Sequence, residues 1–396
     1  MHQLQDAAAV VGVGATDYYR RGRSVPATAM DLAVSAVRAA LEDAGLGPRD
    51  VDGFALYAGG LNTGFLAQQL GVPDVRFNAT LPGGGGGSAG CLGLAAGAIV
   101  SGQASVVVSV MALQQATYRL GQAGGKGSPY AFTPSPETDF SVPFGWVSPG
   151  HKYALAARRH MHLYGTTREH FAEVAISTRA NAVRRPGALM QQPLTLDDYF
   201  DGRMIADPLC LYDFCLESDG AVALVTTSTE RARDLARPPV LIHAAAFGGD
   251  GVNSPQLPWA NSPDEYFASG YSEAVARTLY ERSEIGPGDI DVAQLYDHFG
   301  PMVLMQLEDY GFCGRGESGD FVADGNIRWP DGGLPVNTHG GHLSEAYVMG
   351  MTHLREAVEQ LRGTATNQVD GAHTALVSGG PASIPMSAVI LRKDEP

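Results

Sequence analysis

The feature that most constrains this chain is that it contains one structural unit twice. Gly47-Pro48-Arg49-Asp50-Val51-Asp52 opens a segment that ends at Leu56-Tyr57. Gly286-Pro287-Gly288-Asp289-Ile290-Asp291 opens another that ends at Leu295-Tyr296, and every equivalent pair is 239 positions apart. A helical stretch precedes each segment. In Ala29 to Ala44 the apolar residues Leu32, Val34, Val37 and Leu41 recur at helical spacing, as do Val275 and Leu279 in Ser272 to Ser283. Short apolar runs follow, Val51 to Tyr57 and Ile290 to Tyr296, and each reads as a strand. A lone G-P-x-D match means little; matched positions at one offset, in the same helix–turn–strand context, imply a duplication.

The later parts of the two halves also run in parallel. A glycine run, Gly83 to Gly87, leads into a small-residue helix, Ala89 to Val100, and a strand, Ala104 to Met111. In the second half Gly340-Gly341 leads into a helix predicted from Glu345 to Leu361 and a strand from Thr374 to Val377. Each half closes on an apolar strand, Ala221 to Thr226 and Ala388 to Leu391. Helices alternating with buried strands imply sheets covered by helices. The expected fold is therefore α/β: two duplicated halves, residues 1–230 and 239–396, in a layered αβαβα body. Arg231 to Pro239 is the link between them. An excursion at about 113–204, rich in Pro, His, Arg and aromatics, interrupts the first half; Tyr153 to Tyr164 and Arg168 to Arg184 look helical. Such insertions serve as lids or binding loops, or simply as solvated helices.

Composition excludes several functions. A net charge of −15 over 396 residues disfavours non-specific binding to nucleic acid or an anionic membrane. The most apolar stretch, Leu92 to Leu113, is broken by Gly, Ser and Gln, so it reads as helix plus buried strand rather than a membrane span. No basic-then-apolar leader opens the chain. Cys91, Cys210, Cys215 and Cys313 lack metal-finger spacing and are expected as free thiols in a reducing cytoplasm. The glycine run has no following G-K-[ST], so a nucleotide loop is not expected.

Arg203-Met204-Ile205-Ala206-Asp207-Pro208-Leu209, Ser218-Asp219-Gly220-Ala221, Pro193-Leu194-Thr195 and Asp198-Tyr199 resemble the sterol-carrier-protein-type branch of the thiolase superfamily, over nearly the whole chain. Alignment on Ala95-Ala96 and Ile99 puts Gly85 where that family carries its nucleophilic Cys, with Cys91 inside the helix as a packing residue. The branch's H-D-C-F motif stands as Tyr296-Asp297-His298-Phe299. Its N-x-x-G-G…G-H-P motif runs from Asn337-Thr338-His339-Gly340-Gly341-His342 to Tyr347, which takes the slot of the catalytic His. Ser378, before Gly379-Gly380-Pro381, replaces the second Cys. Both thiols and both aligned histidines are gone while the glycines remain. This pattern resembles the lipid-transfer-protein-type aldolases that shorten steroid side chains.

The resemblance implies retro-aldol cleavage of a β-hydroxyacyl-CoA thioester, which needs no covalent nucleophile: a base takes the hydroxyl proton, the C–C bond breaks to a ketone and a thioester enolate, and an acid reprotonates that enolate. Tyr347 is the expected base and Tyr296 the acid, with His298 as a further donor. Backbone N–H groups at Gly85 and Gly380 are expected to face the thioester oxygen. His339, Gly340, Gly341, His342, Asp297 and Ser378 are expected to line the substrate site. Arg158, Arg159, Arg184 and Arg185 are available to CoA phosphates or form a solvated basic face. His339 and His342 lack an acidic third ligand in a matching pattern, so no metal is expected, and CoA enters as part of the substrate rather than as a cofactor. The resemblance further implies a homodimer, elaborated to a heterotetramer by a small zinc-containing DUF35/OB-fold protein. Two other readings stay open: a non-catalytic lipid-transfer or scaffold subunit, and an acyltransferase using one of the four cysteines.

Overall fold

The computed structural model describes the chain except residues 1–2, 58–59, 82–84, 118–138, 140–141, 147, 251–266, 383–384 and 396. Gly83 and Gly84 of the glycine run, and part of the excursion, therefore lie outside the described residues. In the first half the strands are β1 (Ala8–Ala15), β2 (Tyr19–Arg20), β3 (Gly53–Tyr57), β4 (Phe77–Leu81) and β5 (Val106–Leu113). A short hairpin, β6 (Met204–Ala206) and β7 (Leu209–Cys210), follows the excursion, and β8 (Ser218–Ser228) closes the half. The second half supplies β9 (Val240–Gly248), β10 (Val292–Gln294), β11 (Thr374–Gly379) and β12 (Met386–Lys393).

Strand order makes the internal repeat visible in three dimensions. One sheet runs β10-β11-β12-β9-β1-β8-β5-β3-β4, with β2 pairing to β8. Outward from the β1–β9 junction, the first arm reads β1-β8-β5-β3 and the second β9-β12-β11-β10. Pairing sense matches position by position: β1–β8 and β9–β12 are antiparallel, β8–β5 and β12–β11 antiparallel, β5–β3 and β11–β10 parallel. β1 and β9 join the arms antiparallel.

Three buried clusters correspond to the helical layers. Helices Ala29–Ala44 and Thr63–Leu70 pack on the outer face of the first arm. Helices Gly87–Val100 and Met351–Arg362 fill the space between the arms. Helices Pro149–Tyr164, Arg168–Arg184, Glu273–Ser283 and Gly300–Asp309 cover the second arm. The result is the αβαβα order. Local chemistry sets the elements. Thr28 and Asp31 form a capping box that starts the helix at Ala29, and Gly45, at φ 69°, stops it. The Gly87–Val100 helix is small and apolar on all sides, as a helix enclosed by two sheet arms must be. Cys91 is fully buried there, and burial pushes its thiol up.

Two helix starts differ most from the sequence reading. The excursion's first helix starts at Pro149, capped by Ser148, rather than at Tyr153. The helix predicted from Glu345 starts at Met351: residues Gly341–Glu345 form a single π-turn, and residues 346–350 are irregular, with Met349 at φ 50° and Gly350 at φ 87°. Helical periodicity cannot detect this break, because buried apolar and polar residues alternate through it. No helix among the described residues is long and apolar enough to cross a membrane.

Candidate active site

The site forms where the two arms and the central helices meet. Tyr296 lies just past the end of β10, and Tyr347 lies in the irregular stretch before the Met351–Arg362 helix. Their hydroxyls are 3.0 Å apart, and both residues are buried. Backbone contacts hold each in place. Ser378 Oγ accepts the Tyr296 N–H at 2.9 Å and donates to Gln306 Oε1 at 2.6 Å, while Gln306 Nε2 donates to the Tyr296 carbonyl at 3.0 Å. Ser218 Oγ brackets Tyr347, accepting from its N–H at 2.8 Å and donating to its carbonyl at 3.0 Å.

Gly85 explains the room around these hydroxyls. It sits at φ +93°, where a side chain is strained, and a Cβ there would stand 3.0 Å from the Tyr296 hydroxyl oxygen and 2.9 Å from Gly380 Cα. The Tyr296 hydroxyl thus borders the space that a nucleophilic side chain at position 85 would enter. One expectation fails at this point. The Gly85 N–H donates to Tyr57 Oη at 2.6 Å, so the amide is already engaged and does not face a thioester oxygen. Gly380 closes against the Gly85–Gly86 backbone on the other side.

A set of imidazoles backs the tyrosines. His342 lies 4.6 Å from the Tyr296 ring and 4.8 Å from the Tyr347 ring, edge-on to both. Its Nε2 accepts the Gly350 N–H at 2.9 Å, which places the proton on Nδ1. His353 lies 4.2 Å from His342, and His339 4.7 Å from His353. Burial drives the His339 and His342 imidazoles well below the ordinary range, so both are neutral. His298, half-buried against Tyr153 and 5.2 Å from Tyr296, is lowered to about 3, first by burial. Its Nδ1 is buried with no hydrogen bond among the described residues.

Asp297, His339, His342 and Ser378 were expected to line the substrate site; all four are buried, as the two tyrosines are, and Asp297, His342 and Ser378 hold backbone groups around them. Asp297 accepts the His342 and Leu343 N–H groups at 2.8 and 3.3 Å, fixing the π-turn to β10, and a Cβ on Gly341, at φ +58°, would fall 2.0 Å from its carboxylate. Gly340 packs against Ala182 of the excursion. Asp297, His342 and His353 bring potential metal-ligand atoms within 4.8 Å of one another, a convergence that residue spacing did not disclose. His353 Nε2 lies 2.9 Å from the Leu295 carbonyl and 3.1 Å from Asp297 Oδ1. Two acceptors around that nitrogen call for an N–H there, while His342 Nδ1 has no hydrogen-bond partner among the described residues.

The excursion arginines separate as well. Arg185 is buried among three glutamates, Arg184 lies over the Trp329 ring and Arg158 pairs with Asp207. They do not form one solvated basic face. Sequence reading also missed Tyr57, Ser218, Gln306 and His353. Only Tyr57 carried a signal, as the duplication partner of Tyr296. A cavity of about 440 Å³ lies elsewhere, lined by Tyr18, Arg237, Arg355 and Arg362. Its arginines are engaged by Asp43, Glu359 and Tyr18.

Residues 260–392 match the thiolase C-terminal domain-like family. The chain is 41% identical to the 17-hydroxy-3-oxo-4-pregnene-20-carboxyl-CoA lyase of Mycobacterium tuberculosis, over 98% of this chain and 100% of that protein. It is 42% identical to the steroid side-chain-cleaving aldolase of Thermomonospora curvata over 100% of both. The solved structure of an Ltp2–ChsH2(DUF35) aldolase superposes with a TM-score of 0.91 at 40% identity, covering 99% of each chain. Human mitochondrial 3-ketoacyl-CoA thiolase in complex with CoA aligns at a TM-score of 0.69 with 15% identity, a likeness of fold alone.

Proposed function

The chain belongs to the steroid side-chain-cleaving aldolases of the thiolase superfamily, and from that premise we propose that it cleaves a β-hydroxyacyl-CoA ester of a steroid side chain by a retro-aldol reaction. The observation that carries this reading is the 3.0 Å contact between the Tyr296 and Tyr347 hydroxyls beside a glycine that can hold no nucleophile. On a 17-hydroxy-3-oxo-4-pregnene-20-carboxyl-CoA, the substrate in the M. tuberculosis relative's name, the C17 hydroxyl gives up its proton, the C17–C20 bond breaks, and its electron pair forms the thioester enolate. Protonation of C20 then releases a 17-ketone and propionyl-CoA.

Two hydroxyls in contact can balance this proton traffic. An ordinary tyrosine has a pKa near ~10, so a lone one is a poor base. A hydrogen bond from one hydroxyl stabilises the other's phenolate. With the pair one proton short, Tyr347 takes the substrate proton, Tyr296 delivers its own to C20, and the proton between them shifts to restore the starting state. Neutral His298, whose Nδ1 has no hydrogen bond among the described residues, is the donor available to the thioester oxygen; it adds no charge that would trap the phenolate. Asp297, His342, Ser218 and Ser378 hold the pair rather than touch substrate. CoA enters as substrate, and no resident cofactor has a role in these steps.

A small DUF35-type protein is the proposed partner, supported by the composition of the matching solved assembly. A homodimer through β4 is proposed because β4 ends the sheet among the described residues, and an unpaired edge strand favours pairing with a second copy. The deciding experiment incubates the purified protein, with and without such a partner, with the 17-hydroxy steroid CoA ester. Ketone and propionyl-CoA should appear together by mass spectrometry. Binding without cleavage under both conditions would instead favour a carrier subunit, and an acyl adduct on any cysteine would favour an acyltransferase.

A further inference from the structure

Tyr347 stands on backbone that has no regular structure to hold it. The stretch 346–350 lies between the π-turn Gly341–Glu345 and the helix Met351–Arg362, and two of its residues have positive φ. Arg185, immediately after the excursion helix Arg168–Arg184, reaches both flanks of this stretch. Its Nε donates to Glu345 Oε1 at 2.5 Å, on the turn before Tyr347. Its Nη1 and Nη2 donate to Glu356 and Glu359, both at 2.8 Å, on the helix after it. Arg185 itself is only 4% exposed.

The rest of the excursion grips the same turn. Arg179 Nε donates to Ser344 Oγ at 2.9 Å, Leu189 N–H to the Glu345 carbonyl at 2.9 Å, and Met190 N–H to the Ser344 carbonyl at 3.1 Å. Stability alone does not account for so much buried charge, since apolar replacement of buried ion networks is often neutral or stabilising. A planar guanidinium that must satisfy three carboxylates does select one geometry.

We propose that Arg185 is a positioning residue for Tyr347, stapling the two flanks of the irregular stretch so that its hydroxyl meets Tyr296. The inference rests on Tyr347 acting in proton transfer. It gives the excursion a part in the chemistry although none of the excursion residues named here touches the hydroxyl pair.

The test is Arg185→Lys, which keeps the charge but replaces the fork with a point donor that cannot span three carboxylates. Loosening of this kind should lower kcat by about 10- to 100-fold with KM changed by less than about threefold, because misplacement of about 1 Å can cost that much. In a Tyr347→Phe background the same substitution should alter the residual rate by less than about threefold, since its route of action is already gone. Equal losses in both backgrounds, or a folded Arg185→Lys enzyme with wild-type kcat beside a dead Tyr347→Phe, would overturn the staple while leaving the catalytic reading intact. Wild-type activity in Tyr347→Phe would overturn both. Should Arg185→Lys fail to fold, Glu345→Gln removes one arm at constant shape, and the same outcomes decide.

Discussion

Tyr57 ends β3 and Tyr296 lies just past the end of its counterpart β10, yet their hydroxyls do different things. Both point toward the Gly85 turn. Tyr57 Oη takes the Gly85 amide at 2.6 Å and so serves the backbone. Tyr296 Oη meets a second hydroxyl at 3.0 Å and so has a proton to exchange. The duplication supplied two equivalent phenols; the partner each one meets separates scaffold from chemistry. The same division holds for the halves as wholes. Around the tyrosine pair the first half offers backbone, Ser218 and Tyr57, whereas the second brings Tyr296, His298, His342 and Tyr347.

The sharpest way to break this comparison is to remove each hydroxyl. Tyr296→Phe and Tyr347→Phe should each lose at least about 100-fold in rate, as expected for a proton-transfer group, while melting near wild type. Cys91→Ala is the matched control and should keep most activity; if it is dead while both Phe variants stay within about tenfold of wild type, a nucleophile has been overlooked. Gly85→Ala comes next. Its methyl would enter the space beside Tyr296 at a left-handed φ, so activity should drop by about 10- to 100-fold through displacement of that ring. Steady-state kinetics with wild-type values would show that the turn yields and that Gly85 is not needed for space.

Tyr57→Phe should do the reverse of Tyr296→Phe. It strands a buried amide and should cost about 1–3 kcal/mol of stability, while rate stays within about tenfold. Denaturant unfolding alongside kinetics separates the two tyrosines, and a dead but fully stable Tyr57→Phe enzyme would erase the distinction. The smallest effect is acid sensitivity. His298, His339 and His342 are all held below the ordinary histidine value of ~6.5. The unfolded chain therefore binds more protons than the folded one below that value, and the stability these histidines contribute, complete above pH ~6.5, is lost as pH falls from there toward ~3. Melting temperature should decline between pH 7.5 and 5, and His339→Asn should flatten that slope; a flat wild-type profile would show that the imidazoles are not held neutral by the fold.

Much of this was legible in the sequence, for identifiable reasons. Offset repeats survive as strings because each half must rebuild the same helix–turn–strand packing, so Gly47 to Tyr57 and Gly286 to Tyr296 disclosed the duplicated body. The glycines at 85, 340, 341 and 380 marked close backbone approach, and Tyr at two vacated histidine positions marked the altered chemistry. Exposure was not legible. Asp297, His339, His342 and Ser378 read as substrate contacts from their places in the family motifs, and only the structure shows that all four are buried and that Asp297, His342 and Ser378 engage backbone N–H groups. Nor was Arg185 separable from Arg184, its neighbour, although one is buried among carboxylates and the other lies over a tryptophan.

By itself, then, the order of residues determined the two-fold repeat and the layered α/β body, because periodicity, turn chemistry and residue type are local properties written along the chain; it offered Tyr296 and Tyr347 as candidates only through their slots in the family motifs. Tertiary structure alone decided that Tyr57 holds an amide while Tyr296 meets Tyr347, that the Gly85 N–H is already taken, and that an arginine from the excursion staples the Tyr347 stretch. Those facts depend on which distant groups meet within about 3 Å, a hydrogen-bond distance set by the packing of the whole fold.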